Sequence, residues 1–301
     1  MNSLRTAACL RLISLALLIS GGLMLCGCAP AGPDGQAPKS ANVGPYNDLA
    51  TAAAALCDAH ISNMLGSLSI VAASARPASD ELQFPKAIVA EMVNVISPEL
   101  VWFARSGRWL KLKPQLSEIA SRNVPAALWV ADGEGRYYTV DGGLAKQTLT
   151  DRSYWPYLKA GRTIRGALVV SKSTGKKSAV VAVPIMGEGG VMQGPVMVGA
   201  VGASIYLEEL GARIVAELGL RDDEIFFGID ETGETLMHRA ASRLFENPAE
   251  QGSPSLARAI GRMRSYRWGT IEYEFDGSTR LCAFASTAIT PWKIAVGKME
   301  K

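Results

Sequence analysis

The spacing of hydrophobic residues divides the chain into a helical N-terminal part and a β-rich remainder. Residues 46–75 are rich in alanine and predict a long helix. Near one face of that helix fall Leu49, Leu56, His60, Met64 and Ser67. Two further helices are predicted at about 85–96 and 114–122. We therefore predict an N-terminal helical region over residues 46–123.

Beyond this region, apolar residues alternate or form short runs between turn residues, which is the pattern of β-strands. A first group of five segments is AALWVAD (126–132), RYYTV (136–140), GALVVS (166–171), KSAVVAVPI (177–185) and PVMVGAVGASI (195–205). A second group is EIFFGID (224–230), ETLMH (234–238), GTIEYEF (269–275), TRLCAFAST (279–287) and WKIAVGKM (292–299). An amphipathic helix over 206–218 separates the groups.

The two groups also repeat a local motif. The turn Asp132-x-x-Gly135 recurs as Asp230-x-x-Gly233, displaced by 98 residues. Turn formation explains both copies better than calcium binding, because each supplies too few oxygen ligands for a calcium site. Two copies of one unit, each with a five-stranded antiparallel sheet, predict an α+β fold.

The N-terminus indicates export. Arg5 and Arg11 are its only charged residues before Asp34, and an apolar run follows them that is too short and too broken by glycine to span a membrane comfortably. The run ends in LCGC, which resembles the lipobox of bacterial lipoproteins. We expect residues 1–27 to be a lipoprotein signal peptide, Cys28 to be lipidated, and residues 28–45 to form a flexible tether. The alternative is an ordinary signal peptide with two incidental cysteines.

Composition excludes several classes of function. Without the signal peptide the formal net charge falls from +3 to +1, and no basic run or nucleic-acid motif remains, so we expect no nucleic-acid partner. The chain has only two histidines, in no constellation with serine or cysteine. We expect no catalytic residues, no metal site and no cofactor, and hence not an enzyme. Cys57 and Cys282 could form a disulfide in an exported protein or remain two buried thiols.

A family resemblance joins these features. The segments DRSYWPYLKAG (151–161), VVSKSTGKKSAVVAVPI (169–185) and VMVGAVGASIYLEEL (196–210) resemble, in order and spacing, the double Cache family of extracytoplasmic sensor domains. The resemblance covers roughly residues 46–299. It implies a long N-terminal helix and two stacked PAS-like antiparallel-sheet subdomains. The membrane-distal subdomain would span 124–205, a connecting helix 206–220, and the membrane-proximal subdomain 221–301.

The same resemblance implies a ligand site in the distal subdomain. Arg152 would bind a carboxylate through its guanidinium fork, and Tyr154 and Trp155 would line the pocket. Ser171 and Lys172 would be polar partners on the facing strand. A simpler interpretation stays open, in which residue 151 only caps a helix, the aromatic side chains are ordinary core, and the lysine belongs to a solvated strand edge.

One departure from the family pattern affects the predicted ligand. Amino-acid-binding members end the last distal strand with an aspartate, whereas this chain has Gly202-Ala203-Ser204 there, so Ser204 would face the ligand without a negative charge. A plain carboxylate or another small polar anion fits better than an α-amino acid. We therefore expect a periplasm-facing, lipid-anchored binding protein of the sensor type. The residue after Cys28 is alanine, which favours the outer membrane over the inner one.

The sequence ends at Lys301 without a kinase, cyclase or methyl-accepting segment. We therefore expect any signal to pass to a separate receptor or transporter. The alternative is a structural or interaction lipoprotein of the cell envelope that binds no small molecule.

Overall fold

The computed structural model describes residues 43–75, 112–187 and 194–300. The expected signal peptide, Cys28 and the predicted helix at 85–96 lie outside these residues. The first element is helix α1 (Gly44–Ser74), which has 31 residues, and the next described helix is α2 (Lys113–Arg122). None of the described helices is both long enough and apolar enough to cross a membrane.

The first sheet has six antiparallel strands in the order β3-β2-β1-β6-β5-β4. The strands are β1 (Ala126–Asp132), β2 (Arg136–Thr139), β3 (Gly143–Thr148), β4 (Ile164–Val170), β5 (Lys177–Gly187) and β6 (Val196–Tyr206). A five-residue helix, α3 (Trp155–Lys159), lies between β3 and β4. Helix α4 (Leu207–Glu217) follows β6 and buries Leu207, Leu210 and Ile214, as its amphipathic pattern predicts.

The prediction of five strands in this sheet was wrong by one. The additional strand is β3, which pairs with β2 at the edge of the sheet. Its residues are half-buried or exposed, because only one side of an edge strand has a neighbour. The segment GLAKQT therefore lacks the apolar alternation from which the other strands were predicted.

The second sheet has five antiparallel strands in the order β8-β7-β11-β10-β9. These are β7 (Glu224–Ile229), β8 (Thr235–His238), β9 (Trp268–Phe275), β10 (Ser278–Ser286) and β11 (Lys293–Met299). Helix α5 (Pro254–Ser265) packs against β9 and is capped by Ser253, whose hydroxyl accepts the Leu256 N–H at 3.3 Å. The long helix, two sheets and α+β class agree with the sequence prediction.

Helix α1 joins the two sheets. It contacts β5 and β6 of the first sheet and β10 and β11 of the second. Its Asp58 carboxylate accepts hydrogen bonds from the backbone N–H groups of Ala288 at 2.6 Å and Ile289 at 3.0 Å. The predicted buried face was only partly right, because Met64 is fully buried whereas Leu49 and Leu56 are half-buried. Small residues such as Ala50 and Ala53 take the closest positions, since they let the helix approach the sheets.

Cys57 and Cys282 are both free and buried. Cys57 belongs to the apolar cluster between α1 and the sheets, whereas Cys282 belongs to the cluster under α5. Neighbouring residues of β10 alternate between these clusters, so the Cys282 side chain lies on the α5 side of the second sheet, away from α1, which carries Cys57. The alternative of two buried thiols is therefore the one found.

Candidate functional site

The face of the first sheet that points away from α1 is covered by the segment 149–161, which contains α3. Backbone hydrogen bonds fold this segment into consecutive turns, including Arg152 N–H to Leu149 at 3.0 Å and Trp155 N–H to Arg152 at 2.9 Å. Pro156 occupies the first turn of α3, where a missing N–H costs nothing. These turns place the segment over the sheet, and we call the sheet face beneath it the covered face.

Arg152 is half-buried at the edge of the covered face. Its Nη2 donates a hydrogen bond to the carbonyl of Val170, the last residue of β4, at 2.8 Å. Its Nε is shielded from solvent and, among the described residues, has no hydrogen-bond partner. A buried donor without an acceptor costs about 1–3 kcal/mol, and an acceptor placed beside this atom would remove that cost.

Tyr154 and Trp155 are buried, at 4% and 3% exposed, in an apolar cluster on the covered face. The indole Nε1 of Trp155 is a second shielded donor that finds no acceptor within the described part of the chain. Burial raises the pKa of Tyr154, and the nearby charge of Arg152 offsets part of that rise. The phenol therefore stays protonated at neutral pH and can also donate.

Two further aromatic residues of this cluster were not predicted as site residues. Tyr137 is buried beside Arg152, whose charge partly offsets the burial that raises the pKa of Tyr137. Trp129 lies flat over Gly202, where even a Cβ atom would stand 2.2 Å from the indole ring. The alternation of β1 and β2 in the sequence places both side chains on the same face as the covering segment, and this signal could have identified them.

Trp155 is buttressed by the turn between β1 and β2. A Cβ on Gly135 would stand 3.3 Å from the Trp155 ring, and Gly135 has a φ of 82°, which favours glycine. The Asp132 carboxylate accepts the N–H groups of Glu134 and Arg136 in this turn, at 3.1 and 2.9 Å. As the sequence predicts, the acidic side chain has a turn-forming role.

The polar candidates after β4 are engaged with the chain. The Ser171 hydroxyl is buried, lies 3.2 Å from the Ser173 hydroxyl, and accepts the Thr174 N–H at 3.3 Å. Lys172 donates to the Asp151 carboxylate at 2.5 Å and to the Thr148 carbonyl at 2.9 Å, and this pairing lowers the pKa of Asp151. Lys172 thus fastens the covering segment to the end of β4, and Asp151 forms no cap on α3.

Ser204 is buried on the covered face, opposite Val180 of β5, which in turn pairs with Ala167 of β4. It therefore lies two strands from β4 and three residues short of the Val170 level, away from the end at which Arg152 bonds. In the described part of the first sheet and directly after β4, the buried polar residues are Thr139, Ser171, Ser178 and Ser204, and none is acidic. The covered face thus carries positive charge and neutral donors without a buried negative charge.

No protein-family model matches the chain, and a search of curated proteins finds no significant match. Solved structures do match it. The ligand-binding domain of the Pseudomonas aeruginosa PAO1 amino-acid chemoreceptor PctB, in complex with L-Arg, is 17% identical with a TM-score of 0.58, over 85% of this chain and 87% of that one. The corresponding domain of the Pseudomonas fluorescens chemoreceptor CtaA, in complex with L-isoleucine, is 15% identical with a TM-score of 0.55, over 85% and 92%.

A third match is the extracellular domain of a histidine kinase, rpHK1S-Z16, which is 17% identical with a TM-score of 0.53 over 87% of this chain and 97% of that one. Identities this low establish the fold and nothing further. The strand orders, the long helix α1 and these matches agree, and the chain has the double Cache fold of extracytoplasmic ligand-binding domains.

Proposed function

We propose that this chain is a lipid-anchored, periplasm-facing binding protein of the sensor type that recognises a small carboxylate at the covered face. The observation that carries the proposal is the pair of shielded donors, Nε of Arg152 and Nε1 of Trp155, which have no acceptor in the described chain. A carboxylate offers two oxygens and a negative charge, and charge-assisted hydrogen bonds of this kind are the strong ones.

The absence of a buried acid in the described part of the first sheet supports a plain carboxylate over an α-amino acid. An ammonium group placed in a desolvated site needs a negative partner. Trp129 blocks one route to such a partner, because any side chain at position 202 would collide with its ring. The CtaA and PctB domains are bound to amino acids, so the proposed ligand differs from theirs in lacking the ammonium group.

The direct test is calorimetric titration of the chain with a panel of small carboxylates, each paired with its uncharged amide and its α-amino derivative. We expect carboxylates to bind and the amides to fail. Arg152→Gln should cost about 2–5 kcal/mol of affinity, the range for truncating a buried charge pair. Arg152→Lys should recover only part of the loss, because an ammonium cannot form the bidentate fork.

A matched control distinguishes the loss of the Arg152 contact from the loss of one positive charge anywhere on the surface. Arg162→Gln removes an exposed arginine ten residues further along the chain, which stacks on Tyr157 and lies outside the cluster, and should leave affinity unchanged. Trp155→Phe keeps an aromatic ring while removing the indole donor, and should weaken binding by about 0.5–2 kcal/mol. Undiminished binding in Arg152→Gln would refute the site.

The anchor and the partner belong to the same proposal. Cys28 would carry the lipid after removal of residues 1–27, and the residues from there to the start of α1 at Gly44 would form the tether. A separate receptor or transporter would take up the signal. The outer membrane is the proposed location. Metabolic labelling with a palmitate analogue tests the lipidation of Cys28, and label that persists in Cys28→Ala would contradict it.

A second candidate function rests on how closely the aromatic cluster is packed. Trp129 over Gly202 and Trp155 against Gly135 leave little room on that part of the covered face. A cell-envelope interaction lipoprotein without a small ligand would be consistent with such packing. It predicts that no carboxylate in the panel binds or raises the melting temperature, whereas a ligand would stabilise the fold by mass action.

A further inference from the structure

A cavity of about 260 Å³ lies on the side of the second sheet that α5 covers. Its apolar wall is formed by Phe227, Tyr273 and Phe275, and Phe227 and Tyr273 meet edge to face, with ring centroids 6.4 Å apart. Such a volume is close to that of a small-ligand site, which begins at roughly 300 Å³. The aromatic wall therefore offers a flat apolar group a defined place to pack.

Two guanidinium groups line the same cavity. Arg280 lies over the Phe275 ring at 4.8 Å, and its Nε is shielded and unpaired among the described residues. Arg243 lies over the same ring from 5.5 Å. Two positive charges with an unused buried donor favour an anion, as in other arginine-based carboxylate sites.

His238 adds a neutral donor to this cavity. Its Nδ1 accepts the Ala240 N–H at 2.9 Å, so the remaining proton of the neutral ring lies on Nε2. Burial lowers the pKa of His238, and the charges of Arg243 and Arg280 lower it further. The ring is therefore neutral at pH 7 and can donate to an anion.

The acidic side chains near the cavity do little to neutralise the charge of its two arginines. Asp276 lines the cavity but is exposed, so solvent screens its charge. Glu246 contacts Arg243 at 3.4 Å between two partly exposed side chains, and also accepts from Gln251 at 2.8 Å. Arg280, whose Nε is shielded from solvent, forms no ion pair with any described residue.

We infer that this cavity is a second ligand site, separate from the covered face of the first sheet, and that it takes a small carboxylate with a flat apolar body. The ring of the ligand would pack on the aromatic wall, and its carboxylate would accept hydrogen bonds from the guanidinium groups and from His238. The inference concerns different residues from the proposed function and stands independently of it.

Benzoate is the probe that tests this, with benzamide as an uncharged partner of the same shape. In calorimetric titration of the full chain, benzoate should bind and benzamide should bind at least about ten-fold more weakly. Arg280→Gln should lower benzoate affinity on the order of ten- to a hundred-fold, and Arg243→Gln by a smaller factor. The Arg243 side chain is partly exposed, so its variant remains informative if Arg280→Gln fails to fold.

A matched control makes the site assignment falsifiable. Arg258→Gln removes the same charge from an exposed position on α5 and should leave benzoate affinity unchanged. If wild type does not bind benzoate, or if Arg280→Gln and Arg243→Gln both bind it as tightly as wild type does, the inference is overturned.

Discussion

The two sheets share one strand order, yet they use their covered faces differently. The order β2-β1-β6-β5-β4 in the first sheet corresponds to β8-β7-β11-β10-β9 in the second. Trp129 stands opposite Gly202 in the first sheet, and Phe227 stands opposite Ala295 at the corresponding register in the second. The large ring over a glycine in one copy is replaced by a smaller ring beside an alanine in the other.

The neighbouring strand shows the same exchange. Tyr137 lies two residues after the turn glycine in the first sheet, and Thr235 lies two residues after it in the second. Tyr137 fills space in the aromatic cluster, whereas Thr235 lines the cavity. The same backbone arrangement therefore gives a filled face in the first sheet and a cavity in the second, according to the volume of the side chains. Variants that change this volume, or the contact between the sheets, test the comparison.

The largest effect is expected where the sheets touch. Trp292 of the second-sheet region is 1% exposed, and its ring contacts the backbone at Gly166 of β4. Trp292→Ala should lower the free energy of unfolding by about 3–5 kcal/mol, because it removes a large buried ring and leaves a cavity. Urea denaturation followed by circular dichroism measures this loss.

Trp268→Ala is the matched control, since Trp268 is 78% exposed on β9. Its effect should stay within about 0.5 kcal/mol. Equal losses in the two variants would show that the contact between the sheets contributes nothing particular to stability.

A smaller effect is expected from Gly202→Ala. The added methyl would meet the Trp129 ring at 2.2 Å, and such overpacking costs about 1–3 kcal/mol. Gly66→Ala is the control on α1, where no atom lies within 4 Å of the added methyl, and it should stabilise by up to about 1 kcal/mol. Thermal and urea unfolding of both variants provide the comparison.

The double variant Trp129→Phe with Gly202→Ala then copies the Phe227–Ala295 pair of the second sheet. It should be more stable than Gly202→Ala alone, because the smaller ring makes room for the methyl group. Failure of this rescue would mean that the backbone, and not the Trp129 ring, demands glycine at position 202.

The smallest effect is a pH dependence confined to the second sheet. Burial, Arg243 and Arg280 lower the pKa of His238 from its ordinary 6.5, and Glu246 opposes this shift. Folded protein therefore binds the proton less readily than unfolded chain does. The associated stability is complete above pH 6.5 and is lost as the pH falls from there through the lowered pKa.

His238→Asn keeps an acceptor for the Ala240 N–H but cannot take up a proton. Between about pH 7.5 and about pH 5, its free energy of unfolding should fall less than that of wild type. Parallel curves for the two proteins would contradict a lowered His238 pKa.

Hydrophobic periodicity predicted most of the fold because most of the strands are buried on one face or both. It failed at β3, where an edge position removes the apolar alternation. It also misjudged α1, because the alanine-rich sequence offers several similar faces and only packing against both sheets selects one. Helix α3 begins at Trp155, since the preceding residues form turns whose hydrogen bonds depend on the sheet below.

The local part of the candidate site could be predicted from the residue types in one segment. The part that depends on contacts between residues distant in the sequence could not. The Arg152, Tyr154 and Trp155 pattern is local, and the structure brings these residues together over one sheet face. The ion pair between Lys172 and Asp151 joins residues 21 positions apart, and no sequence pattern predicts it. The cavity of the second sheet is likewise assembled from four strands, helix α5 and the connections between them, so its residues share no motif.

Strand β4 connects Arg152 with the contact between the two sheets. One end holds Arg152 through the carbonyl of Val170, and near its other end Gly166, at a φ of 104°, leaves a would-be Cβ only 2.8 Å from the Trp292 ring. Packed interiors transmit displacement because they contain little free volume to absorb it. We therefore expect a displacement of Arg152 to be transmitted along β4 to the Gly166–Trp292 contact and to the start of β11.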